Sequence, residues 1–454
     1  MMTSSSGIRV RYPPSPTGWC HVGTARMAII NFLFARRNNG TVIFRSEDTD
    51  KERGTLAFEQ DIIECLRWLK LDWDKFYRQS ERLDIYRKSL RALIDTGKAY
   101  ISEEESKKEP GKLIRVVRLR NPGSKITFTD LIRGDITFDT GELGDFVIAR
   151  STDDPLYHFA VVVDDDDMGI THVIRGDDHI SNTPRQILIQ EALGYKRPEY
   201  AHYPLLLGGD RSKLSKRTGD VAVKSYRESG YLPEALLNYI SILGWTPKSQ
   251  REIMSLQEMT AEFDIKDLHK SGAVFDMEKL RWFNRQYLHS MPAETFAKNA
   301  LNVLESAIHE SGVKWNESVG ESILNLVRER IHVWEDIRVL VANGEFNFFF
   351  TDPVLVTSEI PEKKSNVSEA VRHLTQSQTI ISSIPDDSFN EPDKIKTALW
   401  DCATEAGHGA VLWPLRYSLT GRKQSPDPFL VASIIGKDAT LRRIAAAIEQ
   451  LRTP

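Results

Sequence analysis

Cysteine is scarce, with three residues in a chain of 454, Cys20, Cys65 and Cys402. They are too few and too far apart for a disulfide framework or a four-cysteine zinc module, and they read as free thiols in a reducing compartment. Long apolar runs are missing as well. Met27 to Ala35, interrupted by Asn31, falls far short of the ~20 residues a bilayer-spanning helix needs. The Ser-rich start, Met1 to Gly7, is not followed by an apolar segment with a small-residue cleavage site, so a secretory signal is not expected. Charge of one sign is also lacking, because 60 Lys plus Arg against 64 Asp plus Glu give a net charge of −4. Any nucleic-acid contact must therefore rest on local patches. These absences predict a cytoplasmic protein with no membrane partner. What is present is ordinary globular material, 41% hydrophobic and 27% charged, enough for about three domains at roughly 100 to 200 residues each.

Ile8 to Tyr12 alternates as a short strand and runs into Pro13, Pro14, Ser15, Pro16, Thr17 and Gly18, where the prolines forbid regular pairing. From Thr24 the pattern becomes helical until Arg36, Arg37 and Gly40, and a second strand follows at Thr41 to Arg45. Strand, loop, helix, strand in this order is the βαβ unit of a parallel sheet. Phe58, Ile62, Cys65, Leu66 and Leu69 share one helical face, which places Cys65 in the core. A charged stretch from Glu103 to Lys112 and short β-rich runs at 126–128, 135–138 and 145–149 read as an inserted module. Thr171 to Arg175 predicts a further parallel strand, followed by a helix opened by Asn182, Thr183 and Pro184 and closed by Gly194. Beyond Tyr200 the pattern is mostly helical, with a capping box at Ser255 to Glu258 and long periodic stretches at 295–311 and 323–341. Phe346 to Pro353 reads as a break and Pro361 to Asn366 as a polar loop.

Two segments carry chemistry. In the first βα turn, Gly18 and Gly23 permit close approach, the helix beginning near Thr24 offers unpaired N–H groups to a phosphate, and His21 can donate from the same turn. Much later, Lys213-Leu214-Ser215-Lys216-Arg217 follows Gly208 and Gly209, which suits a basic loop closing on a polyphosphate. Taken singly, the histidine reads as a helix cap and the lysines as a solvated loop. Four consecutive carboxylates, Asp164 to Asp167, point apart if the segment is extended, so they read as loop and junction structure rather than a cation site.

Together, His21-Val22-Gly23-Thr24 and Lys213-Leu214-Ser215-Lys216-Arg217 resemble the two signatures of the class I aminoacyl-tRNA synthetases. The resemblance is closest to the glutamyl-tRNA synthetase family of bacterial type. It is carried by Arg11 to Gly18, Arg45-Ser46-Glu47-Asp48-Thr49-Asp50, Val173 to His179, Gly230 to Tyr239, and Tyr157 with Val162 to Asp165. With the tail segment Leu419-Thr420-Gly421 through Ser425-Pro426, these blocks cover nearly the whole chain. The resemblance implies an α/β fold: a Rossmann-type catalytic domain split by an inserted α+β acceptor-binding module, then an all-helical C-terminal half. Its implied boundaries are 1–90 with 158–198 for the catalytic domain, 91–157 for the insertion, 199–295 for a stem-contact domain, and 296–350 and 351–454 for two anticodon-binding subdomains.

The same resemblance implies ATP-dependent activation of L-glutamate and transfer to the terminal adenosine of tRNA. His21, Lys213 and Lys216 are the implied catalytic residues. Gly18, His21, Gly23, Thr24, Lys213 and Lys216 are expected to bind ATP. Arg11, Ser15, Tyr157 and Arg175 fall at the glutamate carboxylates, where guanidinium forks suit the chemistry. Glu47 falls near the ammonium group, and Asp48 and Asp50 read as structural anchors. Mg²⁺ is implied as the counter-ion of ATP; no zinc and no protein metal ligands are expected, because the short insertion lacks the cysteine cluster of some relatives. The implied partners are glutamate tRNA, with tRNA needed before activation, and the implied state is a monomer. Two alternatives are a form that also charges glutamine tRNA with glutamate, and a catalytically idle tRNA-binding paralogue.

Overall fold

The alternating residues 9–12 form strand β1 (Arg9–Tyr12), which the proline-rich loop ends before helix α1 (Val22–Arg37) and strand β2 (Thr41–Ser46). The structure, a computed structural model, describes residues 7–50, 53–105, 109, 111–212, 214 and 222–453. Helix α2 (Leu56–Trp68) and strand β3 (Lys75–Arg78) complete a parallel sheet ordered β1-β2-β3. Helix α1 is a core helix rather than a surface one. Ala25, Ala28, Ile29, Leu33 and Ala35 are fully buried, and so is Asn31. The Asn31 side-chain amide donates to Met27 O and Ile174 O, so the polar interruption in this apolar stretch is a tie across the sheet.

After helix α3 (Leu83–Asp95), the chain enters the insertion. Strands β4 (Ala99–Glu105) and β5 (Leu113–Leu119) form an antiparallel pair, so Glu103 to Glu105 of the charged stretch read from the sequence are strand. Glu103 lies directly across from Arg115 and pairs with it, and Glu104 pairs with Arg118. Strands β6 (Lys125–Asp130) and β7 (Gly134–Asp139) form a second hairpin, and β8 (Phe146–Ser151) with β9 (Asp154–Pro155) closes the β4-β5-β8-β9 sheet.

Helix α4 (Tyr157–Asp167) corrects the sequence reading of the four aspartates. They end a helix, and successive residues turn about 100° instead of alternating. Asp164 and Asp165 are buried while Asp166 and Asp167 are exposed. Carboxylates at a helix C-terminus oppose the macrodipole, which is why the run reads as loop. Here Arg11, Arg45 and Arg82 supply the compensating charge.

Strand β10 (His172–Gly176) starts beside β1, where Thr171 N–H donates to Arg9 O at 2.9 Å. Helix α5 (Thr183–Leu193) ends at Gly194 in the left-handed conformation, and β11 (Glu199–Tyr203) pairs parallel with β10 and, at Tyr200, with Asp130 of β6. Pro233–Ile242 is helical, and the expected capping box at Ser255 and Glu258 is present.

Residues 1–284 form one compact unit and 285–454 another. The second is helical throughout its described residues. The long periodic stretch 323–341 is in fact two helices, Leu324–Arg330 and Asp336–Ala342. In the turn between them, the Asp336 carboxylate takes the N–H groups of His332 and Val333. The break at 346–353 contains a short buried helical turn, Asn347–Phe350. Arg443, almost fully buried, gathers Phe348 O, Leu419 O, Thr351 O and the Asp352 carboxylate in this unit.

Candidate active site

A cavity of about 740 Å³ opens at the carboxyl ends of the parallel strands, the usual ligand position in open α/β sheets. Arg11, Ser15, His21, Gly23, Thr24, Glu47, Tyr157 and Arg175 all line it, although they come from positions far apart in the sequence. Gly18 does not; Thr17 holds that part of the wall.

His21 is the N-cap of α1. Its backbone is extended, and its Nδ1 accepts the Thr24 N–H at 3.2 Å. This cap leaves the ring proton on Nε2, 3.3 Å from Thr24 Oγ1. The capping reading and the functional reading of His21 thus concern opposite ring nitrogens. A Cβ on Gly23 would stand 2.9 Å from the ring, so glycine makes room for the imidazole. The proline-rich loop is stapled to the end of β2, because Ser15 Oγ donates to Glu47 O and Glu47 N–H donates to Pro14 O.

Lys213 and Lys216 lie outside the described residues. Leu214, between them, lines the cavity, and its N–H donates to Leu206 O. At the far end of that loop Ala222 bridges to His21, and Val223 N–H donates to Cys20 O.

Beneath the floor lies a buried ion cluster. Asp165 Oδ1 accepts from Arg11 Nε at 3.2 Å and from Arg45 Nη1 at 2.7 Å, and Arg45 Nη2 donates to Glu47 Oε1 at 3.0 Å. Asp164 takes Gln79, Tyr86 and Arg82. Burial pushes the Glu47 carboxyl up, opposed by Arg45 and Arg11. For Asp165 burial acts in the same direction, but Arg11 and Arg45 outweigh it and hold the carboxyl below its usual range. Burial alone would lower the Arg45 guanidinium, yet Asp165, Glu47 and Asp164 raise it. Two buried nitrogens of the cavity-lining residues, Arg11 Nη1 and Arg175 Nη1, have no hydrogen-bond partner among the described residues. A buried donor without an acceptor is costly, and two such donors at one cavity suit an anionic ligand.

Sequence reasoning missed Arg45, Asp165 and Gln79 as parts of this site, together with Arg26, His179 and Tyr203. Arg45 lies on β2 and Glu47 follows two residues later, just past the strand's end, a signal available from the spacing. Arg26 sits in the apolar pattern of α1; it donates to Pro204 O and Leu243 O, and burial lowers its guanidinium to about 10. His179 Nδ1 lies 3.3 Å from Tyr157 Oη. Asp48 is an anchor, accepting from Ser80 N–H and Oγ, and Asp50 holds Arg53. Among the described residues, no group of three or more His, Cys, Asp or Glu is arranged to hold a metal ion.

Two family models match the chain. The catalytic domain of class I tRNA synthetases (E and Q) matches residues 7–109 and 101–282, and an anticodon binding domain matches residues 278–448. The glutamate–tRNA ligase of Aquifex aeolicus is 38% identical over 98% of this chain and all of its own length. That of Hydrogenobaculum sp. is 47% identical over 66% of this chain and 72% of its own. A crystal structure of a glutamate tRNA ligase from Elizabethkingia meningosepticum in complex with its amino acid superimposes with a TM-score of 0.86 at 32% identity, covering 98% of this chain and 100% of that one.

Proposed function

The chain belongs to the glutamate–tRNA ligases, class I aminoacyl-tRNA synthetases, and on that premise we propose how its own residues carry the reaction. The observation that carries the proposal is the pair of guanidinium nitrogens, Arg11 Nη1 and Arg175 Nη1, that have no partner among the described residues at one cavity. Glutamate brings two carboxylates for those donors and one ammonium for Glu47, whose side chain is nearly buried beside Arg45. Ser15 and Tyr157 complete the glutamate site. The α-carboxylate attacks the α-phosphate of ATP and pyrophosphate leaves. His21 Nε2–H and the ammonium groups of Lys213 and Lys216 stabilise the charge that develops, beside the N-terminus of α1 at Gly23 and Thr24. A ribose hydroxyl of the terminal adenosine of tRNA then attacks the mixed anhydride and AMP leaves. No enzyme nucleophile takes part.

Magnesium, when bound, neutralises phosphate charge. It would enter with the phosphates of ATP rather than as a resident ion of the chain. Zinc is not part of the proposal. The finer domain division is retained, with the insertion at 91–157 set between the catalytic segments 1–90 and 158–198. We place the protein in the cytoplasm as a monomer; none of its described helices is long and apolar enough to cross a membrane. Neither the form that charges glutamine tRNA nor the idle paralogue has an observation in its favour. AMP release measured with glutamate tRNA present tests the substrate assignment. Glutamate should support it while glutamine and aspartate do not, and equal turnover with glutamine would defeat the role given to Arg11 and Arg175.

A further inference from the structure

Arg175 reaches the cavity wall from a fixed support. Its Nε donates to His202 Nε2 at 3.1 Å and its Nη2 to Thr183 Oγ1 at 2.8 Å, which leaves Nη1 without a partner among the described residues. A guanidinium has donors only, so His202 Nε2 must accept, and the ring proton must sit on Nδ1. On that side, His202 Nδ1 lies 2.7 Å from Asp130 Oδ2. Asp130 also accepts the N–H groups of His202, Ile132 and Arg133, all definite donors. These contacts overcome the burial that would raise its carboxyl and keep it below its usual range. Asp130 is therefore an acceptor only, and both neighbours of His202 demand the same neutral Nδ1–H tautomer. His202 and Thr183 are fully buried, and Asp130 and Arg175 nearly so.

We propose that Asp130 and His202 are positioning residues for Arg175: the carboxylate fixes the tautomer of the imidazole, and the imidazole fixes the plane of the guanidinium that receives a substrate carboxylate. This inference rests on the glutamate reading of the cavity. Asp130 ends β6 of the insertion, His202 lies on β11 and Arg175 on β10, in register with His202. The relay therefore carries the placement of the inserted β6–β7 hairpin to the glutamate site, and neither relay residue touches the substrate.

Asp130→Asn tests it on the full chain. The amide oxygen can serve Ile132 and Arg133, while the amide NH₂ faces His202, takes the acceptor from its backbone N–H and drives the ring proton to Nε2, where it meets Arg175 Nε–H donor to donor. Calorimetric titration with L-glutamate should show affinity about tenfold weaker or worse, with ATP affinity changed less than about twofold. His202→Phe, which removes the acceptor, should reproduce that split, and His202→Gln, which restores one, should recover most of the loss. Selective ¹⁵N-histidine labelling of the wild type should report His202 as the neutral Nδ1–H form. Unchanged glutamate affinity in both Asp130→Asn and His202→Phe, equal loss of glutamate and ATP, or an Nε2–H wild-type ring would overturn the proposal. A wild type that binds no glutamate would overturn the reading of the cavity instead, and the ¹⁵N tautomer would still decide the relay.

Discussion

Arg45 and Asp165 meet at 2.7 Å with side chains 0% and 6% exposed, one from strand β2 and the other from helix α4. Through the same Asp165 oxygen the pair reaches Arg11, and through the other end of Arg45 it reaches Glu47. Two residues proposed to hold opposite ends of the amino acid are thus braced by one buried ion pair that touches neither end.

Removing one partner of a buried pair leaves the other charge uncompensated. Asp165→Asn should therefore cost about 3–5 kcal/mol of stability, read as a lower urea midpoint for the N-terminal unit. Arg115→Ala, which breaks an exposed pair with Glu103, should leave the midpoint almost unmoved. A midpoint for Asp165→Asn equal to that of wild type would show that the cluster is not holding the floor of the site.

The two ring nitrogens of His21 predict a separation of roles. Asparagine is a good N-cap, so His21→Asn should keep α1 and change stability by less than about 1 kcal/mol. It loses the Nε2–H donor, and AMP release should fall about 100-fold or more. Near-normal turnover would reduce His21 to a cap.

Gly23→Ala should act on the same imidazole by displacement. The added methyl stands 2.9 Å from His21 Cε1 and Nδ1, and the ring can swing away. Melting should stay close to wild type, while turnover drops about tenfold or more, the scale of misplacing a reacting group. Full activity would mean that the ring position is not critical.

Acid should weaken the fold through two histidines near the site. Burial, with Arg185 and Arg175 nearby, pushes His158 down to about 4, and burial with Arg175 does the same to His179. An unfolded histidine titrates near 6.5, so the unfolded chain takes up these protons first. Their contribution is complete above about pH 6.5 and is lost as pH falls toward about 4. Melting temperatures across that window should decline, and His158→Gln should flatten the decline; an identical slope in the variant would remove His158 from the account.

Much of this site was legible because short motifs sit where the chain must turn. The proline-rich loop after β1, the glycine at 23 and the helix start at His21 announce themselves locally, and the family resemblance assigns Arg11, Glu47, Tyr157 and Arg175. The supporting residues were hidden for a physical reason: Asp165, His202 and Asp130 act across contacts far apart in sequence, such as the 154 positions between Arg11 and Asp165. The acidic run 164–167 misled because charge at a helix C-terminus is unfavourable until buried arginines from other elements are in place. The stretch 323–341 misled because the apolar period continues through the turn at 331–335, where the Asp336 carboxylate holds the His332 and Val333 N–H groups.

Attachment of radiolabelled glutamate to glutamate tRNA by the purified full-length chain, with ATP and magnesium, tests the central assignment most directly. The account predicts ATP-dependent label in the aminoacyl ester for the wild type, and little for Arg175→Ala at the same glutamate concentration with ATP still bound. A folded wild type that binds glutamate tRNA but attaches no glutamate, or an Arg175→Ala variant that charges as well as wild type, would contradict it.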